Sequence, residues 1–143
     1  MTTEEKLASF VAAQESVYDD VRRELAAGRK ETHWIWFVFP QLAGLGLSSM
    51  SQKYAIASKA EAQAYLRHAV LGPRLRKCVR LLLALPREDI GSILGDPDDL
   101  KFRSCMTLFD AAAPEEPMFA KALDKYFGGQ RDPLTLALLS SRK

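Results

Sequence analysis

The run His33-Trp34-Ile35-Trp36-Phe37-Val38-Phe39-Pro40-Gln41 decides the fold. From Trp34 to Phe39 every side chain is apolar, so neither a strand period nor a helix period shows in it. Its length and the β-branched Ile35 and Val38 favour a strand. Thr32, placed where an N-cap would stand, and the lack of any alternating run to serve as a partner strand favour a helix. The balance is a short, fully buried helix over about residues 33–39, ended by Pro40. A helix that is apolar all round has to be wrapped by others.

The flanking sequence supplies those others. Upstream, Leu7, Phe10, Val11, Gln14, Tyr18, Val21 and Leu25 recur at steps of three and four, the stripe of one amphipathic helix. Thr2 with Glu5 reads as its capping box and Gly28 as its left-handed end. Downstream, Gly44 and Gly46 mark a loop, and a helical turn follows around 49–57. Ser58 with Glu61 reads as a second capping box. Gly72-Pro73 opens a helix with the stripe Leu75, Cys78, Val79, Leu82 and Leu83, and Pro86 stops it. Asp89 to Gly95 is a short helix. The acidic turn 96–99 caps a helix from Leu100 to about Phe109. Met118 to Phe127 and Leu134 to Leu139 complete the set. The expectation is a single all-α domain over residues 1–143, a multihelical orthogonal bundle around the short central helix.

Composition narrows the function classes. With 48% hydrophobic and 27% charged residues the chain is an ordinary folded domain. A net charge of +2 is too small for a dedicated nucleic-acid binder, so no specific nucleic acid is expected. No apolar run approaches the roughly 18 residues a membrane span needs, and the polar start MTTEEKLASF lacks a signal core, which points to the cytoplasm. Cys78 and Cys105 have no metal-ligand spacing and read as buried free thiols. There is no phosphate loop, dinucleotide fingerprint or zinc motif, and no cofactor or metal is expected.

Three stretches hold the chemistry-bearing residues. In the first, Lys30, His33 and Gln41 surround Trp34 and Trp36. Two indoles at i and i+2 cannot share a helix face, so either one borders a cleft or both anchor the core. The second is 96–109, where Asp99, Lys101, Arg103 and Ser104 lie near a helix start that suits an anion. A solvated cap explains the same residues. The third is a basic face of Arg67, His68, Arg74, Arg76, Lys77 and Arg80. Gln14, a polar residue on an apolar stripe, either bonds buried backbone or lines a pocket.

Four segments together, 10–48, 54–75, 93–109 and 126–139, resemble a bacterial domain-of-unknown-function family, number 1810. The resemblance rests on the His-Trp-x-Trp-Phe-x-Phe-Pro-Gln block and the Asp-Asp-Leu-Lys block, and departs at Phe102 and Cys105. It implies a multihelical fold with an unusually short buried central helix. Its characteristic polar positions map to Gln14, Lys30, His33, Gln41, Tyr54, Arg74, Asp99, Lys101 and Ser104. A remoter similarity to NADAR proteins implies ADP-ribose chemistry. Two functions follow as expectations. The first is binding, with or without hydrolysis, of an anionic nucleotide- or ADP-ribose-like small molecule. In it His33 and Asp99 are the acid–base pair, and Gln14, Lys30, Trp34, Trp36, Gln41, Tyr54, Arg74, Lys101, Arg103 and Ser104 hold the ligand. The second is a non-enzymatic module that binds a protein or nucleic acid through the basic face or an aromatic groove. Oligomeric state is not legible.

Overall fold

The computed structural model describes residues 1–142. Along them run α1 (Thr3–Glu15), α2 (Tyr18–Ala27), α3 (Ile35–Val38), α4 (Ser49–Lys53), α5 (Lys59–Arg67), α6 (Leu71–Leu83), α7 (Ile90–Leu94), α8 (Asp98–Ala112), α9 (Pro117–Phe127) and α10 (Pro133–Ser141). The protein is all-α. A single parallel bridge, Leu42 to Ile56, is the extended pairing among the described residues.

Helix α8 is the shaft of the molecule. Phe102, Ser104, Cys105, Met106, Thr107, Leu108, Phe109 and Ala112 are buried around most of its circumference. It packs against α3, α5, α7, α9 and α10, while α6 closes the far side against α2, α5 and α9. Short α3 meets α8 through Phe39, whose ring lies edge-on to Phe102 at 4.8 Å. Tyr65 and Phe119 flank Phe109 at 5.5 and 5.8 Å, carrying the same aromatic core to α5 and α9. No helix is long and apolar enough to cross a membrane among the described residues.

The short buried helix after Thr32 is present, and several local expectations need correction. The upstream stripe is two helices. Val17 donates to the Gln14 carbonyl in a turn at 16–17, and α2 begins at Tyr18. The break lets Leu7, Phe10 and Gln14 face α3 and α5 while Val21 and Leu25 face α6, which one straight cylinder cannot do. Thr32 does not cap α3, since its hydroxyl donates to Glu24 instead and Trp34 holds the cap position without a side-chain bond. The second capping box is half formed. Ser58 accepts from Glu61 N–H, but the Glu61 carboxylate turns to the Ala57 N–H and to Lys6. Pro73 is the third residue of α6, still within the turn whose N–H groups have no helical partner. Helix α8 starts at Asp98 and runs to Ala112, beyond both expected ends.

Candidate functional site

The segment before α3 is held by one carboxylate. Glu24, on the inward face of α2, accepts hydrogen bonds from Glu31 N–H (2.7 Å), Thr32 N–H (3.0 Å), the Thr32 hydroxyl (2.7 Å) and the Trp34 indole N–H (3.0 Å). Burial pushes this carboxyl's pKa up, but the four donors outweigh it and hold the pKa at about 2. Lys30 adds a second tie. Its ammonium pairs with Asp98 at 2.8 Å, donates to the Thr32 carbonyl at 2.6 Å and sits 5.0 Å from the Trp34 ring, while its backbone N–H reaches Ile93. The Lys30 side chain is only 6% exposed, so this cation is committed to the scaffold.

These ties set the roll of α3 and so the fates of the two indoles. Trp34 is fully buried. Trp36 is half-buried, and the Lys101 ammonium of α8 lies over its ring at 5.6 Å. Lys101 forms no ion pair with any described residue. The aromatic edge continues from Trp36 to Phe37 (6.5 Å) and from Phe37 to Tyr54 (5.4 Å). Lys53 caps its far end, 5.3 Å from the Tyr54 ring. Gln41 enters beside Tyr54, because its carbonyl accepts from Ile56 N–H at 2.9 Å. His33 is exposed just before α3. Asp99 accepts from the Leu100 N–H at 2.9 Å in the first turn of α8.

The remaining predicted residues lie elsewhere, in structural roles. Gln14 donates to the Phe37 carbonyl (2.6 Å) and to the Tyr65 hydroxyl (3.2 Å), binding α1 to the end of α3. Arg74 bonds Gln14 and Glu15 and stacks over Tyr18. Arg103 donates to the carbonyls of Gln130 and Arg131. Ser104 donates to the Leu100 carbonyl and to Asp132, the N-cap of α10. In the basic face, Arg76 pairs with both Glu116 oxygens, and His68 Nδ1 accepts from Val70 and Leu71 at the start of α6. No group of three His, Cys, Asp or Glu side chains able to hold a metal ion occurs among the described residues.

Two clefts are lined by none of the residues predicted to bind a ligand or to act as acid or base. The larger, of about 300 Å³, lies between the end of α5, the flank of α6 and the α8–α9 loop. A second, of about 260 Å³, opens beside Glu24, Ala27 and Arg29. Sequence reasoning missed Glu24 and gave Glu61 only a capping role, and both are buried and central to how loops meet helices. Their signal was positional: Glu24 follows Val21 by three on the inward face of α2.

Comparison with known proteins returns a family and a structure. The model of a family described as protein of unknown function DUF1810 matches residues 4–139. The chain is similar to a conserved hypothetical protein from Mycobacterium tuberculosis whose crystal structure is solved. Identity is 51%, the match covers 94% of this chain and 96% of that one, and the TM-score is 0.92. No curated protein matches.

Proposed function

The chain belongs to DUF1810, a family of unknown function, and from the geometry of its aromatic edge we propose that it binds an anionic, ring-bearing small molecule, nucleotide- or ADP-ribose-like, at Trp36 and Lys101. The observation that carries this is the Lys101 ammonium, held over a half-buried indole and paired with no carboxylate among the described residues. Asp98 is occupied with Lys30 on the preceding turn, so the acidic start of α8 leaves Lys101 unneutralised by that group. A ligand with a planar ring and a phosphate satisfies both partners, the ring against the aromatic edge and the phosphate on the ammonium. Lys53 at the Tyr54 end offers a second cation, and exposed His33 a ring N–H donor. A cytoplasmic location belongs to the same proposal, since reducing conditions keep Cys78 and Cys105 as thiols.

The alternative, a basic stripe for nucleic acid, draws less support. Arg74 and Arg76 are both engaged with carboxylates of the chain.

Calorimetric titration with ADP-ribose and adenosine nucleotides tests the proposal. Lys101→Ala is expected to weaken binding about tenfold or more, the loss of one charge-assisted hydrogen bond. It should leave the melting temperature nearly unchanged, because a partly exposed cation with no ion pair stabilises by at most about 1 kcal/mol. Product analysis of the same mixtures tests hydrolysis, for which His33 and Asp99 are the acid–base candidates. Equal affinity in wild type and Lys101→Ala, or no binding by any of these compounds, removes the proposal.

A further inference from the structure

The larger cleft is lined by Gln63, Leu66 and Arg67 of α5, Arg76 of α6, and Ala112, Ala113, Glu115 and Glu116 around the α8–α9 loop. It contains none of the residues of the aromatic edge. Its charges are two of each sign. One pair is closed internally, since Arg76 meets Glu116 in a two-bond fork at 2.7 and 3.1 Å. The other pair is open. Arg67 and Glu115 are exposed on the same cleft and form no ion pair.

The polar groups that remain unused are of two kinds, donors and acceptors. A guanidinium has five N–H donors. Arg76 commits one to the Leu66 carbonyl and two to Glu116, which leaves two. Together with Arg67 they form a donor set for a carboxylate. Gln63 gives its amide N–H to the Ala112 carbonyl, so its amide oxygen is free to accept. With Glu115 it forms an acceptor set for an ammonium. The rest of the lining is apolar, from Leu66, Ala112 and Ala113.

We propose that this cleft is a binding site for a zwitterionic ligand of amino-acid class, its carboxylate on Arg67 and Arg76, its ammonium on Glu115 and Gln63. A simple anion or a simple cation would use only the donors or only the acceptors and forgo the bonds that the others offer. A zwitterion matches both at zero net charge. The volume of about 300 Å³ admits a single free amino acid with its side chain over the apolar lining.

The test uses the full chain and NMR-detected titration with L-alanine, L-leucine and L-glutamine. N-acetyl-L-alanine, which lacks the ammonium, and L-alaninamide, which lacks the carboxylate, serve as single-charge probes. At least one free amino acid is expected to move the resonances of Gln63, Arg76 and Ala113. Each blocked probe should bind about tenfold more weakly or worse, one charged hydrogen bond being lost. Arg67→Gln and Glu115→Gln, both at exposed positions, should each weaken binding similarly while the rest of the spectrum keeps the native pattern. Lys101→Ala should leave this binding unchanged, which separates the cleft from the aromatic edge. Silence of all three amino acids at millimolar concentration overturns the proposal. So does equal binding of the blocked probes, or equal binding by Arg67→Gln and Glu115→Gln.

Discussion

A carboxylate sealed under four donors has a pH signature. The Glu24 carboxyl falls from its ordinary 4.5 to about 2 in the folded protein. Because the folded value is the lower one, its stabilisation is fully present above pH 4.5 and is lost as pH falls toward 2. The shift corresponds to on the order of 3 kcal/mol at neutral pH. Glu24→Gln is therefore expected to cost about 2–3 kcal/mol at pH 7 in chemical denaturation, since an amide cannot accept all four hydrogen bonds as well. Wild type and variant should converge in stability as the pH approaches 2. A difference that persists unchanged in acid would mean the carboxylate charge is not what holds the loop. The indoles beside it divide in the same way. Trp34→Ala should cost about 3–5 kcal/mol, as for a sealed aromatic site, and Trp36→Ala clearly less, because Trp36 is already half in solvent.

At the level of elements, the helices differ in how their starts are secured. Helix α1 has a complete capping box, in which Thr2 accepts from Glu5 N–H and Glu5 accepts from Thr2 N–H. That box is exposed, and both of its hydrogen bonds stay between Thr2 and Glu5. Asp132 caps α10 and does more, because the carboxylate oxygen that caps Thr135 N–H also accepts from the Thr135 and Ser104 hydroxyls. Its backbone N–H donates to Thr107, so one residue fastens α10 to α8. Thr2→Ala should cost about 1 kcal/mol, an ordinary cap, and Asp132→Ala about 2 kcal/mol or more. Hydrogen exchange should show α10 opening in the Asp132 variant while α1 stays protected. The reverse ranking would place the hold on α10 in its apolar contacts. Those contacts come from Leu138 and Leu139, half-buried against the core, while Leu134 and Leu136 are exposed.

Across the described residues the ten helices share one core, and the thiols report on it. Cys78 and Cys105 are both buried in that core, on α6 and α8. Burial pushes Cys78 up to about 12 and Cys105 well above the usual thiol range, so neither supplies a thiolate to solvent at neutral pH. Both should resist a thiol reagent in the native protein and react together when the core opens. The labelling rate should then rise with denaturant in step with global unfolding. Rapid labelling of one thiol in native buffer would reveal a local opening of its helix.

Much of this architecture was legible one segment at a time, because the signals are local. Gly28 at φ +73 and the caps at Thr2 and Ser58 need only neighbouring residues to act, and they mark helix ends correctly. The reading of residues 33–39 as a short buried helix rested on the absence of a partner strand, and α3 is that helix, trimmed to Ile35–Val38. Other features had no local signature. Whether Trp34 or Trp36 faces the core depends on Glu24, ten residues before Trp34, and on Asp98 far along the chain. The stripe from Leu7 to Leu25 hides a break because the turn at 16–17 preserves the apolar phase. Gln14, Arg74, Arg103 and Ser104 have the chemistry of ligand-binding groups, yet their hydrogen bonds go to carbonyls and side chains of the scaffold, most of them on distant segments. The larger cleft draws Gln63, Arg76 and Glu116 from three separate stretches, none marked by a motif. Sequence by itself therefore determined the helices and much of the core, since burial and capping follow from spacing along one chain segment. Only the tertiary structure decided which polar groups remain free for a ligand, because a hydrogen bond between distant segments exists only once those segments are packed.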